Sequence, residues 1–162
     1  MHRYPVRLLL FLMCLPWLGA CSEPSTPEQQ VRDSIERAIN AIELREAGAF
    51  SDLIDDRYRD SRGQDKKMLT RLALAYLLRN RNINIFTRIN SIHFDSPEQA
   101  SVMLYAGMAA TPVEDIQGFL NLRADLFEFE LKLVRDGDDW LLNNARWQRL
   151  RADDLENDAL RR

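Results

Sequence analysis

Residues 125–147 read DLFEFELKLVRDGDDWLLNNARW, and no other part of the chain states its conformation so plainly. Phe127, Phe129, Leu131 and Leu133 alternate with Glu128, Glu130 and Lys132. That is the two-residue period of a strand with one apolar face turned inward and one polar face turned out. RDGDD at 135–139 supplies the turn, with Asp136-Gly137 its strongest signal, because glycine takes the positive φ a tight hairpin needs. Residues 140–147 form the returning strand. A hairpin alone is marginal in water and needs a further layer over its apolar face.

Upstream, residues 100–110 read as another strand, apolar on both parities, with Val102, Leu104 and Ala106 against Met103, Tyr105 and Ala109. Residues 111–123 connect it to the hairpin and carry Ile116, Phe119 and Leu120. Before it, Ile83, Ile85, Thr87 and Ile89 alternate with Asn82, Asn84, Phe86 and Arg88, and Ile92 and Phe94 continue on the opposite parity. An extra residue near Asn90-Ser91, a β-bulge, would return all of them to one face. DSPEQ at 95–99 is a turn.

The first half of the chain has helical spacing instead. Thr26-Pro27-Glu28-Gln29 reads as a capped start, with Pro27 at the first helical position and Gln29 at the capping-box position. Val31, Ile35, Ala38, Ile39 and Ile42 then recur on one side, and Gly48 is the expected stop. A short helix is expected around Phe50, Leu53 and Ile54, followed by a polar loop over 55–63. A third helix runs from Asp65 to about Arg79. Its apolar band, Met68, Leu69, Leu72, Ala73, Ala75, Tyr76 and Leu77, is wide enough to predict packing on two sides. Helices first and antiparallel strands after them give the α+β class.

This order, closed by GDDW…ARW, resembles the nuclear-transport-factor-2-like superfamily over roughly residues 27–150. FSDLIDDRYRDSRGQDKKML, residues 50–69, looks like small lipoproteins of the same superfamily. The resemblance implies N-terminal helices packed in a curved antiparallel sheet, the cystatin-like cone roll also found in ketosteroid isomerases. It implies a pocket between the concave sheet face and the helices, and pairing of members through the outer face. No ketosteroid-isomerase catalytic residue transfers onto this sequence, because Tyr58, Tyr76, Tyr105, Asp125 and Asn144 share no diagnostic spacing.

The N-terminus reads as an address. Arg3 and Arg7 precede an apolar run, 8–15, that is too short to span a bilayer, and Gly19-Ala20 follow. Leu18-Gly19-Ala20-Cys21 resembles the lipobox of bacterial lipoproteins. That resemblance implies cleavage before Cys21, acylation of Cys21, and a membrane anchor of several chains. Ser22 stands where an aspartate would resemble an inner-membrane retention signal, so the periplasmic face of the outer membrane is expected. The organisation is thus a signal peptide at 1–20, a lipidated cysteine and tether at 21–27, the cone at 28–150, and a charged tail at 151–162. Cys14 leaves with the leader, so no thiol remains for a disulfide, metal or nucleophile.

The chain of 162 residues has a net charge of −3, which argues against nucleic acid as a partner. No cofactor or metal is expected: His93 is the one histidine after the leader and is placed outward, between Ile92 and Phe94. Asp55, Asp56 and Asp60 interleave with Arg57 and Arg59 and read as a solvated loop with internal ion pairs. Candidate pocket residues are Tyr58, Tyr76, Phe127, Phe129 and Asn144. Candidate interface residues on the outer sheet face are Phe86, Arg88, Met103 and Tyr105, which fit a homodimer or an envelope protein partner. The expected function is a non-catalytic binding or scaffolding module. The alternatives are a carrier of an apolar or lipid ligand in the cone and an isomerase or hydrolase that uses no metal.

Overall fold

Thr26 begins the first helix by accepting a hydrogen bond from the Gln29 amide at 3.2 Å, with Pro27 next, where its missing N–H has no intrahelical partner to lose. The Gln29 side chain donates to Asp33 at 2.7 Å. The computed structural model describes residues 25–80, 83–109 and 126–150. Its elements are α1 (Pro27–Glu43), α2 (Ala47–Asp52), α3 (Lys66–Arg79), β1 (Asn84–Ser96), β2 (Gln99–Ala109), β3 (Leu126–Asp136) and β4 (Asp139–Leu150). The leader with Cys21, the connection at 111–123, Asp125 and the tail at 151–162 lie outside the described residues.

The four strands form one antiparallel, curved sheet in the order β1-β2-β3-β4. The register of β1 on β2 slips between Ile89 and Ser91, where the bulge was expected, and Ile89 and Ile92 both pack on the core. The core is where α1 lies on the concave face. Val31 and Ile35 meet Ala100, Val102, Leu104, Leu133 and Trp140. At the β3–β4 turn, Asp136 pairs with Asp139, and Gly137-Asp138 form the two-residue loop with Gly137 at φ 61°. The turn thus falls within 135–139, as expected, with glycine at its first central position.

Four readings of the helical half are corrected. α1 stops at Glu43, and Gly48 lies inside α2. The chain leaves α1 through Arg45 at φ 66°, a region that costs a non-glycine residue energy. The Arg45 guanidinium offsets that cost by donating to the carbonyls of Asn80, at 2.7 Å, and Leu77 at the C-terminal end of α3. The second helix starts earlier than its apolar residues suggest, and Ile54 leaves it to bridge Leu142 in parallel.

The stretch at 55–63 has the expected internal ion pair, Arg57 with Asp55, and six exposed residues, but it is docked on one side, with Asp55, Tyr58 and Asp60 buried. The amides of Asp55, Arg59 and Ser61 donate to the carbonyls of Leu142, Asn143 and Ala145. This segment covers the free edge of β4, which would otherwise offer unpaired backbone groups to another chain. Finally, α3 is not packed on two sides. Asp65 caps it through the Met68 amide at 2.8 Å, but Leu77 is its one buried residue.

Candidate functional site

The alternation of β3 and the register of the sheet bring one row of apolar side chains across all four strands on the concave face: Ile89, Leu104, Phe129 and Trp147. Leu104 is buried under the core, while Phe129 and Trp147 are half-buried. Their rings stack at 6.1 Å with 26° between planes, and Phe127 continues the wall 6.3 Å from Phe129. Trp147 was missed as a site residue. Its alternation from Ala145 in β4 is the signal that finds it. The Arg62 guanidinium sits 4.8 Å above the Trp147 ring, a cation–π contact at the margin of the wall.

Behind this wall lies a second cluster built on the docked 55–63 segment. Tyr58 is fully buried with Ile54 and Ala145, and Phe50, Leu69, Leu131, Leu142 and Trp147 pack around them. Tyr58 and Asp60 sit two residues apart, both inward, with Arg59 outward between them. One Asp60 oxygen accepts from the amides of Arg62 and Gln64, each at 2.8 Å. Its other oxygen, the Tyr58 hydroxyl and the Gln64 side-chain carbonyl are buried with no hydrogen-bond partner. Burial, with the neighbouring Asp60 carboxylate adding to it, pushes the Tyr58 phenol well above the usual tyrosine range. It is therefore a neutral donor and acceptor at any physiological pH. Three polar atoms held dry without a partner cost free energy.

The other acids are committed locally. The Arg57 guanidinium, with its backbone amide and Asn143 helping, holds the Asp55 carboxyl below the usual carboxylate range against the opposing effect of burial. Asp56 pairs with Lys66 at 2.8 Å. Asn144, expected in the pocket, donates its side-chain amide to the Arg59 carbonyl and so fastens the docked segment. Tyr76, also expected there, stands 38% exposed on α3. Among the described residues no group of three His, Cys, Asp or Glu is placed to hold a metal. His93 is exposed, 3.8 Å from Asp95.

On the outer sheet face, Arg88, Tyr105, Glu128 and Gln148 form one cross-strand row, and Met103 pairs with Glu130. Arg88 is exposed and Phe86 and Met103 are half-buried, but Tyr105 is only 7% exposed. The apolar centre expected on this face is therefore already covered within one chain at Tyr105. Gln148 donates to Glu128 at 2.6 Å and Arg146 lies 3.5 Å from Glu130, so the adjoining charges pair with each other.

No family model matches the chain, and neither does any curated protein. Solved structures do. A domain of unknown function with a cystatin-like fold from Nostoc punctiforme aligns with TM-score 0.61 and 10% identity over 83% of this chain and 85% of that one. A protein of the NTF2-like family from Streptomyces avermitilis, described as a candidate dehydratase, aligns with TM-score 0.60 and 15% identity over 80% of this chain and all of that one. Bd1075 of Bdellovibrio bacteriovorus aligns with TM-score 0.57 and 12% identity over 76% of this chain, which spans 41% of that protein. Identities this low speak to the fold alone, and the fold they share with this chain is the cystatin-like, nuclear-transport-factor-2-like cone.

Proposed function

We propose that this chain is an envelope lipoprotein, anchored through Cys21, whose cone is a non-catalytic binding module for an apolar molecule carrying a hydrogen-bond donor. One observation carries the ligand class. Trp147, in the half-buried wall with Phe127 and Phe129, packs against the cluster that holds Tyr58, and buried polar atoms of Tyr58, Asp60 and Gln64 have no partner. The wall suits an apolar body, and the acceptors suit its hydroxyl or amine. The anchor rests on LGAC in its leader context. No helix among the described residues is long and apolar enough to cross a membrane.

The ligand reading is tested by native mass spectrometry of gently purified protein, together with titration of the apolar fluorophore N-phenylnaphthylamine. Phe129→Ala with Trp147→Ala is expected to weaken the fluorophore at least tenfold, the loss of roughly 1.4 kcal/mol or more of apolar contact. Unchanged binding, with no co-purified ligand, would sink the reading. The anchor has its own test. Palmitate labelling in a bacterial host is expected to vanish in Cys21→Ala and to persist in Cys14→Ala. Label retained by Cys21→Ala removes the anchor.

A second reading, general acid-base catalysis in the cone, has one observation in its favour. A neutral phenol and a carboxylate, Tyr58 and Asp60, share the buried end. The NTF2-like neighbour described as a candidate dehydratase makes dehydration the reaction to screen first. Turnover abolished by Tyr58→Phe would favour this reading over simple binding.

A further inference from the structure

The sequence of α3, KKMLTRLALAYLLR, contains Lys66, Lys67, Arg71 and Arg79 and no acid, in a chain whose net charge is −3. The structure turns most of this helix outward. Met68, Leu72, Leu74, Tyr76 and Leu78 are all exposed, Leu78 by 73%. Lys67, Arg71 and Arg79 are exposed as well, and none has an ion pair among the described residues. Their long stems can lie along the apolar side chains while the charged heads reach past them. Five exposed large apolar residues on one 14-residue helix exceed the scatter of single apolar residues that any surface shows.

Two features fix what this face suits. By helical spacing Lys67, Arg71 and Arg79 are interspersed with Met68, Leu72 and Tyr76 on one side and Leu74 and Leu78 on the other, so the exposed side mixes apolar contact with cations, as a bilayer surface with anionic head groups accepts. At the N-terminal end of α3 the apolar face adjoins a cleft of about 530 Å³. Arg59, Lys66, Lys67 and Arg71 line it, against Asp56 and Asp65. Asp65 is spent on the helix cap and Asp56 on Lys66, so positive charge prevails. Such a cleft accepts phosphate oxygens at the depth of lipid head groups. Exposed Leu44 lies at the other end, where Arg45 ties α1 to the last carbonyls of α3.

We infer that the outward side of α3 is a docking surface for an anionic lipid bilayer, so that the cone lies against the membrane instead of swinging from its tether. The surface is separate from the acyl anchor, and its test is made without acylation. The full chain carrying Cys14→Ser, Cys21→Ser and Leu78→Cys is labelled at position 78 with an environment-sensitive nitrobenzoxadiazole. It is then reconstituted into vesicles of phosphatidylcholine with or without phosphatidylglycerol. The variants compared share the same residues 1–24, so any contribution of that segment is equal in all of them. The expected result is a blue shift and shielding from dithionite on the anionic vesicles. A label at Asp138→Cys, in the β3–β4 turn, stays open to the reagent.

Lys67→Glu, Arg71→Glu and Arg79→Glu together should lower the shielded fraction at least tenfold, since each basic residue changes binding to anionic lipid by about fivefold. Circular dichroism checks that the triple variant is folded. Equal shielding on pure phosphatidylcholine, or in the charge-reversed variant, overturns the inference. So does shielding in detergent without lipid, whether another part of the chain or a second copy provides it; dilution separates those two.

Discussion

Trp140→Ala is expected to lower the unfolding free energy by about 3–5 kcal/mol, a fifth or more of the roughly 5–15 kcal/mol that a domain has. Trp140 is 1% exposed and is among the largest fully buried side chains. It stands at the start of β4, where the hairpin turns the sheet back under α1, and packs in one cluster with Val31 and Ile35 of the helix and Ala100, Val102 and Leu104 of β2. Its ring meets Phe94 edge-on at 5.7 Å. Truncation to alanine therefore opens a void bounded by three elements that are already fixed by backbone hydrogen bonds, so the void cannot collapse. The indole N–H contributes little. Its bond to the Gln30 side-chain oxygen Oε1 is long, 3.4 Å, and only partly buried, so Gln30→Ala should cost less than about 1 kcal/mol. Urea unfolding of the three proteins separates packing from hydrogen bonding. A Trp140→Ala loss no larger than that of Gln30→Ala would show that the seam between α1 and the sheet is not where stability resides.

What the sequence made legible follows local rules. The Thr26 cap, the turn over 95–99, the bulge near Asn90 and the inward parity of Phe127, Phe129, Leu131 and Leu133 each depend on residues a few positions apart. The structure shows them where they were expected. What escaped depends on contacts between distant segments. The run RYRD reads as a charged loop because arginines and aspartates dominate it. Yet Tyr58 and Asp60 alternate with Arg57 and Arg59, and that period of two is the trace of a segment lying along a strand edge. The bulge that leaves Asn143 unpaired opposite Lys132-Leu133 gives the segment its acceptor, and nothing near Arg59 in sequence announces it. Helix α3 failed in the opposite way. Its apolar residues are real, but a wide apolar band says only that several sides seek apolar surroundings, not that protein supplies them. Of the five candidate pocket residues, Phe127 and Phe129 stand in the concave wall and Tyr58 behind it. Asn144 serves as a backbone fastener, and Tyr76 sits one position from the buried Leu77.

Tyr58 offers the sharpest contrast. Tyr58→Ala is expected to cost about 3–5 kcal/mol, because it empties a fully buried ring site that ties the docked segment to β4 and α2. Tyr58→Phe should stay within about 1 kcal/mol of the wild type, or exceed it, since the hydroxyl it removes is buried without a partner. The pH dependence has a definite sign. In the unfolded chain the phenol titrates near its ordinary 10.0, and in the folded chain its affinity for the proton is raised. The unfolded state thus sheds a proton that the folded state keeps, and stability that is complete below pH 10 falls as the pH rises above it. Tyr58→Phe lacks that group and should hold its stability where the wild type loses it, so the two unfolding curves diverge only on the alkaline side. If Tyr58→Phe instead destabilises by more than about 2 kcal/mol at neutral pH, the hydroxyl has a partner inside the protein and is not held in reserve for a ligand. If it is neutral for stability yet removes binding of a donor-bearing ligand while sparing N-phenylnaphthylamine, the fold carries a desolvation cost at Tyr58 that is recovered when the cone is loaded.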